Sequence, residues 1–182
     1  MTPAPHPPDL RCYIRSIPDF PKAGVMFRDI TPLLLNPAAF DGALRRMAEP
    51  YAEGDVDLIV GAESRGFIFA APLALRLDAG FVPIRKKGKL PADTLSVTYD
   101  LEYGTDTVEM HTDAVRHGSR VLMVDDLLAT GGTMAASCKM VEEAGGEIVG
   151  VEFLIELAFL GGRAKLEGYP VRSQIVYEDE SP

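Results

Sequence analysis

Tryptophan is missing from the chain, and cysteine (Cys12, Cys138) and histidine (His6, His111, His117) are nearly so. Two thiols cannot staple a fold, and these five side chains show no metal-ligand spacing, so a disulfide framework and a metal cluster are excluded. The plain reading is two reduced thiols in a cytoplasmic protein. Long apolar runs are also missing: the longest uncharged one, Phe67–Leu75, contains Pro72 and falls far short of the roughly 20 residues of a membrane helix. The start, "MTPAPHPPDLRCYIRSIPDF", lacks the apolar stretch of a secretory leader, and its Pro-rich residues 1–10 predict a frayed end. Positive charge is scarce, with 18 Lys and Arg against 27 Asp and Glu, a net charge of −9 and a pI near 4.8. That balance argues against a general nucleic-acid or membrane binder, and it makes any local basic cluster more informative.

What is present is ordinary for a globular chain. Apolar residues make up 47% and charged residues 25%, in 182 residues that suit one domain with a sizeable core. Residues 13–37 form an irregular segment with four prolines. Residues 37–54 predict a helix with Phe40, Leu44 and Met47 on one face. "VDLIVGAESRG" predicts a short buried strand ending in a tight loop, and residues 67–80 a helix interrupted or kinked at Pro72. "GFVPIRKKGKLP" is a strand running into a basic loop, and residues 94–115 predict two antiparallel strands around a mobile tip. "RVLMVDD" is a buried strand. Residues 133–146 predict a helix with Met134, Cys138 and Val141 at helical spacing, stopped by Gly145 and Gly146, and "EIVGVEFLIEL" is a further strand. Alternating strands and helices imply an α/β fold, a mostly parallel central sheet with helices on both faces.

The chemistry concentrates in "VLMVDDLLATGGTM", residues 121–134. Four apolar residues run into Asp125 and Asp126, and Ala129, Thr130, Gly131, Gly132 and Thr133 then turn strand into helix. In parallel sheets ligands bind beyond the carboxyl ends of the strands. Glycines let backbone N–H groups approach an anion, hydroxyls add donors, and a helix N-terminus adds partial positive charge, so a phosphate suits the turn. The carboxylates repel phosphate but accept hydrogen bonds from hydroxyls such as a ribose 2′,3′ pair. A sugar phosphate satisfies both halves. Taken alone, the turn reads better as a plain Thr-capped glycine turn, and the acids also fit solvated strand-end aspartates; side by side they favour the ligand. Two better-known phosphate motifs fail: Gly61–Gly66 is followed by Phe67 rather than Lys, and no GxGxxG opens a helix.

This segment resembles the phosphoribosyl-pyrophosphate signature of the type I phosphoribosyltransferase family. "RSIPDFPKAGVMFRDITPLL", "GAESRGFIFAAPLA", "IRKKGKLP", "YDLEYG" and "VEFLIEL" are similar, in the same order, to the adenine-specific members, so the likeness spans about residues 13–167. It implies one domain over 1–182, with a tail and small N-terminal hood over about 1–35, a core over about 36–170, and a mobile hairpin over the active site. It also implies a cytoplasmic, homodimeric purine-salvage enzyme that converts adenine and phosphoribosyl pyrophosphate to AMP and pyrophosphate. Magnesium would be held mainly through substrate and water rather than by a protein metal site.

The resemblance also implies roles. Asp125 and Asp126 hold the ribose hydroxyls, and Ala129 to Thr133 wrap the 5′-phosphate. Backbone groups around Met26 and Arg28 pair with adenine's amine and N1, Phe27 stacks on the ring, and Leu127 packs on one face of the base. Ser64, Arg65, Arg85 and Lys89 bind pyrophosphate, with a non-proline cis peptide between Glu63 and Ser64. Glu102 is the acid–base residue beside adenine N7. Thr98 stands where related sequences often carry Ser, which keeps the hydroxyl.

The residues alone permit plainer roles: a core aromatic for Phe27, a salt-bridging surface Arg65, a solvated basic face at residues 85–89, an exposed hairpin carboxylate for Glu102. Rival readings are a hydrolase, since Ala62–Gly66 is one residue away from GxSxG, a transferase for another base such as xanthine or orotate, and a non-enzymatic regulator binding phosphoribosyl pyrophosphate. A hydrolase needs an Asp and then a His downstream, and only His111 and His117 are available. The "GVMFRDI" segment argues against another base. The lack of spare length and the acidic balance argue against a regulator.

Overall fold

The computed structural model describes residues 9–100 and 104–181; the Pro-rich residues 1–8 and the hairpin tip 101–103, with Glu102, lie outside them. Two short antiparallel strands, β1 (Arg15–Ile17) and β2 (Phe27–Asp29), form the hood, with Ser16 opposite Arg28. Helices α1 (Thr31–Leu35) and α2 (Pro37–Ala48) follow. Asn36 starts α2 by accepting the Ala38 and Ala39 N–H groups, and Pro37 occupies the first turn, where a missing N–H costs nothing.

The central sheet has seven strands in the order β5-β6-β4-β3-β7-β8-β9. Its parallel body is β3 (Leu58–Ala62), β4 (Gly80–Lys86), β7 (Arg120–Leu128), β8 (Glu147–Leu157) and β9 (Val171–Tyr177). The hairpin β5 (Thr94–Asp100) and β6 (Thr105–His111) extends one edge antiparallel. Helix α3 (Gly66–Arg76) follows β3, and α4 (Gly132–Glu143) follows β7. Strand alternation divides the core between the two faces. Ile59, Leu122 and Val124 pack with Met47, Phe69 and Leu73 of α2 and α3, whereas Val60, Val121 and Met123 pack with Met134, Cys138 and Val141 of α4.

The mostly parallel sheet, the two helical faces and the antiparallel hairpin agree with the sequence reading. Three details differ. Helix α3 runs continuously through Pro72 rather than breaking there. Strand β7 continues to Leu128, two residues past the expected end at Asp126. The sheet gains β9 beyond the expected end of the core near 170; "VRSQIVY" mixes polar and apolar residues, as befits an edge strand.

Strand β8 carries a buried acid. The Glu152 side chain is fully enclosed, with Tyr51 Oη donating to it at 3.2 Å, Gln174 Nε2 donating at 2.9 Å and Arg172 3.6 Å away. Neighbouring Gly150 makes room: a Cβ there would stand 2.1 Å from the Tyr51 hydroxyl. Burial is the main influence on Glu152 and lifts its carboxyl to about 7, against the pull of Arg172, Tyr51 and Gln174. The folded chain therefore keeps a proton that the unfolded chain releases, so this group's contribution falls as pH rises from its ordinary value of 4.5 to about 7 and is flat above. Replacing Glu152 with Gln removes the ionisation. Relative to the parent, the variant should gain ~3 kcal/mol between pH 4.5 and pH 8. Urea unfolding at the two pH values measures this, and a pH-independent difference would contradict it.

Candidate active site

The carboxyl ends of β3, β4 and β7 bring the signature residues together. At the end of β7, Gly131 takes a left-handed φ of 76° and starts α4. No side chain caps this helix, so its first N–H groups have no side-chain partner. Gly162 presses against the turn from the loop after β8: a Cβ on Gly131 would lie 2.4 Å from the Gly162 oxygen, and one on Gly162 2.1 Å from the Ala129 oxygen. The Tyr99 hydroxyl of β5 lies 2.9 Å from Thr133 Oγ1 and joins the hairpin to the turn. Uncapped N–H groups, the Thr130 and Thr133 hydroxyls and a helix N-terminus form a cradle suited to an anion.

The two acids have different surroundings. Asp126 is 6% exposed and accepts a hydrogen bond from Arg65 Nε at 2.5 Å. Asp125 Oδ1 accepts the Asp126 N–H at 2.9 Å. Burial first, and the Asp126 charge second, push the Asp125 carboxyl well above the ordinary carboxylate range. The two side chains offer carboxyl oxygens to a vicinal diol.

The loop from β3 to α3 contains a cis peptide between Glu63 and Ser64, where the resemblance implied one. Glu63 gathers the basic loop. It accepts from Arg85 Nε and from the Lys86 backbone N–H, each at 2.9 Å, and pairs with Lys89 Nζ. Desolvation alone would raise its carboxyl, but Lys89, Lys86 N–H and Arg85 together hold it at about 2. Arg85 and Lys89 therefore rest on a carboxylate, and Lys86 Nζ lies 3.4 Å from Asp106. Glu63 was not foreseen as a site residue. The available signal was a lone acid at an apolar strand end with four cations due to arrive at the next strand.

Arg65 joins three predicted segments. Its Nε meets Asp126, and its guanidinium carbon is 5.9 Å from the centre of the Phe27 ring. Phe27 also packs edge-on to Phe20 at 5.0 Å. Met26 and Leu127 are half-buried, and Leu127 packs against the α2–α3 side of the core. The Arg28 side chain turns away from Phe27 and is buried. The hydrolase alternative loses both histidines: His111 lines a pocket with Leu58 at the start of β3 and His117 sits against Gly145 before β7 begins, whereas Ser64 lies beyond the end of β3. Among the described residues no three His, Cys, Asp or Glu side chains group as a metal site.

This fold and site define a phosphoribosyl-transfer protein, and a model of the phosphoribosyl transferase domain matches residues 31–178. The chain belongs to that family, and within it to the adenine phosphoribosyltransferases. The adenine phosphoribosyltransferase of Solibacter usitatus is 56% identical over 171 residues, covering 94% of this chain and 99% of the relative. That of Kosmotoga olearia is 58% identical, covering 93% and 99%. The crystal structure of the Thermoanaerobacter pseudethanolicus enzyme superposes with a TM-score of 0.89 at 55% identity, over 92% of this chain and 98% of that one. The Saccharomyces cerevisiae enzyme, solved with an imino-altritol bisphosphate and adenine, gives 0.86 at 41% identity, over 91% and 96%.

Proposed function

We infer that this chain transfers the 5-phosphoribosyl group from phosphoribosyl pyrophosphate to adenine, releasing AMP and pyrophosphate, as a purine-salvage glycosyltransferase. The observation that carries the reading is the Asp125–Asp126 pair beside the uncapped glycine turn of α4. Carboxylates select hydroxyls and free N–H groups select phosphate, so together they orient a ribose 5-phosphate one way round. Ala129, Thr130, Gly131, Gly132 and Thr133 hold the 5′-phosphate, and Asp125 and Asp126 hold the ribose hydroxyls.

Ser64, Arg65, Arg85 and Lys89 take the pyrophosphate, with the three cations leaving their present carboxylates, Asp126 and Glu63, for the more highly charged ligand. Backbone groups of Met26 and Arg28 read adenine's amine and N1, while Phe27 and Leu127 pack on the ring. Guanine or hypoxanthine would leave those groups unpaired, which discriminates strongly. The adenine bound in the yeast relative supports this choice of base.

During transfer the bond from ribose C1 to pyrophosphate lengthens while the bond to adenine N9 forms. Positive charge builds on the sugar and negative charge on the leaving group, where the cations stabilise it. Glu102 accepts the proton the base gives up, acting beside N7. Magnesium would be held chiefly by the oxygens of the substrate phosphates and by water, the hard donors this ion prefers. When bound, magnesium neutralises charge on the departing pyrophosphate.

The reading includes a single domain, a cytoplasmic location and a homodimer. No helix among the described residues is long and apolar enough to cross a membrane, and exposed Phe81, Ile68 and Leu75 offer apolar surface for a second copy. Incubation with radiolabelled adenine, phosphoribosyl pyrophosphate and magnesium should yield AMP; no AMP would defeat the assignment. Glu102→Ala should lower kcat about a hundredfold, and full activity in that variant would remove its acid–base role.

A further inference from the structure

Strand β2 sends successive side chains to opposite sides. Phe27 faces Arg65, and Arg28 enters the other side, where the residue is 7% exposed. The Arg28 guanidinium carbon lies 3.8 Å from the centre of the Tyr177 ring. One terminal nitrogen donates to Ser16 Oγ and the other to the Ser181 carbonyl at 2.5 Å. Arg11, in the short helix Leu10–Tyr13, lies 4.7 Å from the same ring and donates to the Val176 carbonyl at 2.5 Å. Tyr177 is the last residue of β9 and is itself buried in the core.

Two paired strands of three residues cannot hold their own position. On the site side, Arg65 and Phe27 stand 5.9 Å apart, a loose contact. The firm attachment lies behind the hood, on the far edge strand and the tail that follows it. Burying a guanidinium is costly unless it is satisfied, and here the ring, a hydroxyl and a carbonyl compensate it while the Nε finds no partner. We propose that Arg28, Tyr177 and the Ser181 carbonyl form a tether that sets the position of β2 over the site, making the C-terminal segment a positioning element for base binding. This rests on the reading of Met26–Arg28 as the base-reading strand.

The test compares the parent with Arg28→Lys, Tyr177→Leu, Tyr177→Phe and a chain ending at Glu178. Arg28→Lys, Tyr177→Leu and the shortened chain should raise KM for adenine about tenfold, with KM for phosphoribosyl pyrophosphate changed less than about twofold. Tyr177→Phe keeps the ring and should match the parent. Amide hydrogen exchange at residues 25–29 should quicken in the same three proteins, and it reads the tether whether or not adenine is the substrate. Of the four residues removed, the described ones, 179–181, are exposed, so the shortened chain remains a usable probe where a core substitution fails to fold. Unchanged exchange and unchanged adenine KM in the shortened chain and Arg28→Lys would overturn the tether, as would equal rises in both KM values. A parent that makes no AMP while the variants exchange faster would instead count against the base assignment.

Discussion

Replacing both Asp125 and Asp126 with Asn should lower kcat/KM for phosphoribosyl pyrophosphate by about 10³. Each lost charge-assisted hydrogen bond to a hydroxyl removes roughly 1.5–3 kcal/mol, and a factor of ten corresponds to about 1.4 kcal/mol. The single changes should differ. Asp126 is the acid that Arg65 meets, so Asp126→Asn also frees a guanidinium that the substrate would otherwise have to draw away. Its cost in affinity should therefore be partly offset. Asp125 already favours its protonated form, because burial and the neighbouring charge push its carboxyl up. Asp125→Asn keeps a neutral, hydrogen-bonding side chain and should be the milder change. Steady-state kinetics of the two single variants and the double variant measures this. A double variant within about tenfold of the parent would show that the pair does not hold the ribose.

Much of this was legible in the sequence because chemistry and periodicity coincide there. Apolar runs bounded by turn residues gave β3, β4, β7 and β8, since strands covered on both faces have no reason to alternate. The acids followed by a glycine turn were legible because few ligands satisfy both. The rest depended on contacts between distant segments. Strand β9 was hidden because an edge strand needs only Ile175 and Tyr177 buried, a pattern too sparse to read. The hood's strands have three residues each, and Arg28 in β2 meets Ser181, 153 residues along the chain, a contact no local pattern shows. Glu63 was missed for a similar reason: its cations belong to the next strand and loop, and only the parallel pairing of β3 with β4 brings them to it. Pro72 does not interrupt α3, whose buried face of Phe69, Ala70, Leu73 and Ala74 packs along the whole helix.

Gly162 has no part in the signature, yet it abuts the turn that carries Ala129 and Gly131. Gly131→Ala should lower kcat/KM by about 10³. It places a methyl 2.4 Å from the Gly162 oxygen and in a left-handed conformation, so the turn has to move, and a shift of one ångström at a reacting site costs about a hundredfold before the lost N–H contacts are counted. Gly162→Ala attacks the same contact from the other side, at 2.1 Å from the Ala129 oxygen, and should be of similar severity although Gly162 touches no substrate in the proposed mechanism. Gly161→Ala separates collision from strain. Its φ is 67°, but a Cβ there meets nothing within 4 Å. That variant should lose about 1 kcal/mol of stability and keep its activity. Kinetics and thermal unfolding on the three proteins distinguish the effects. If Gly161→Ala is as inactive as the other two, the loop's backbone conformation governs the site rather than its contact with the turn. If Gly162→Ala is fully active, the contact is not what shapes the phosphate cradle.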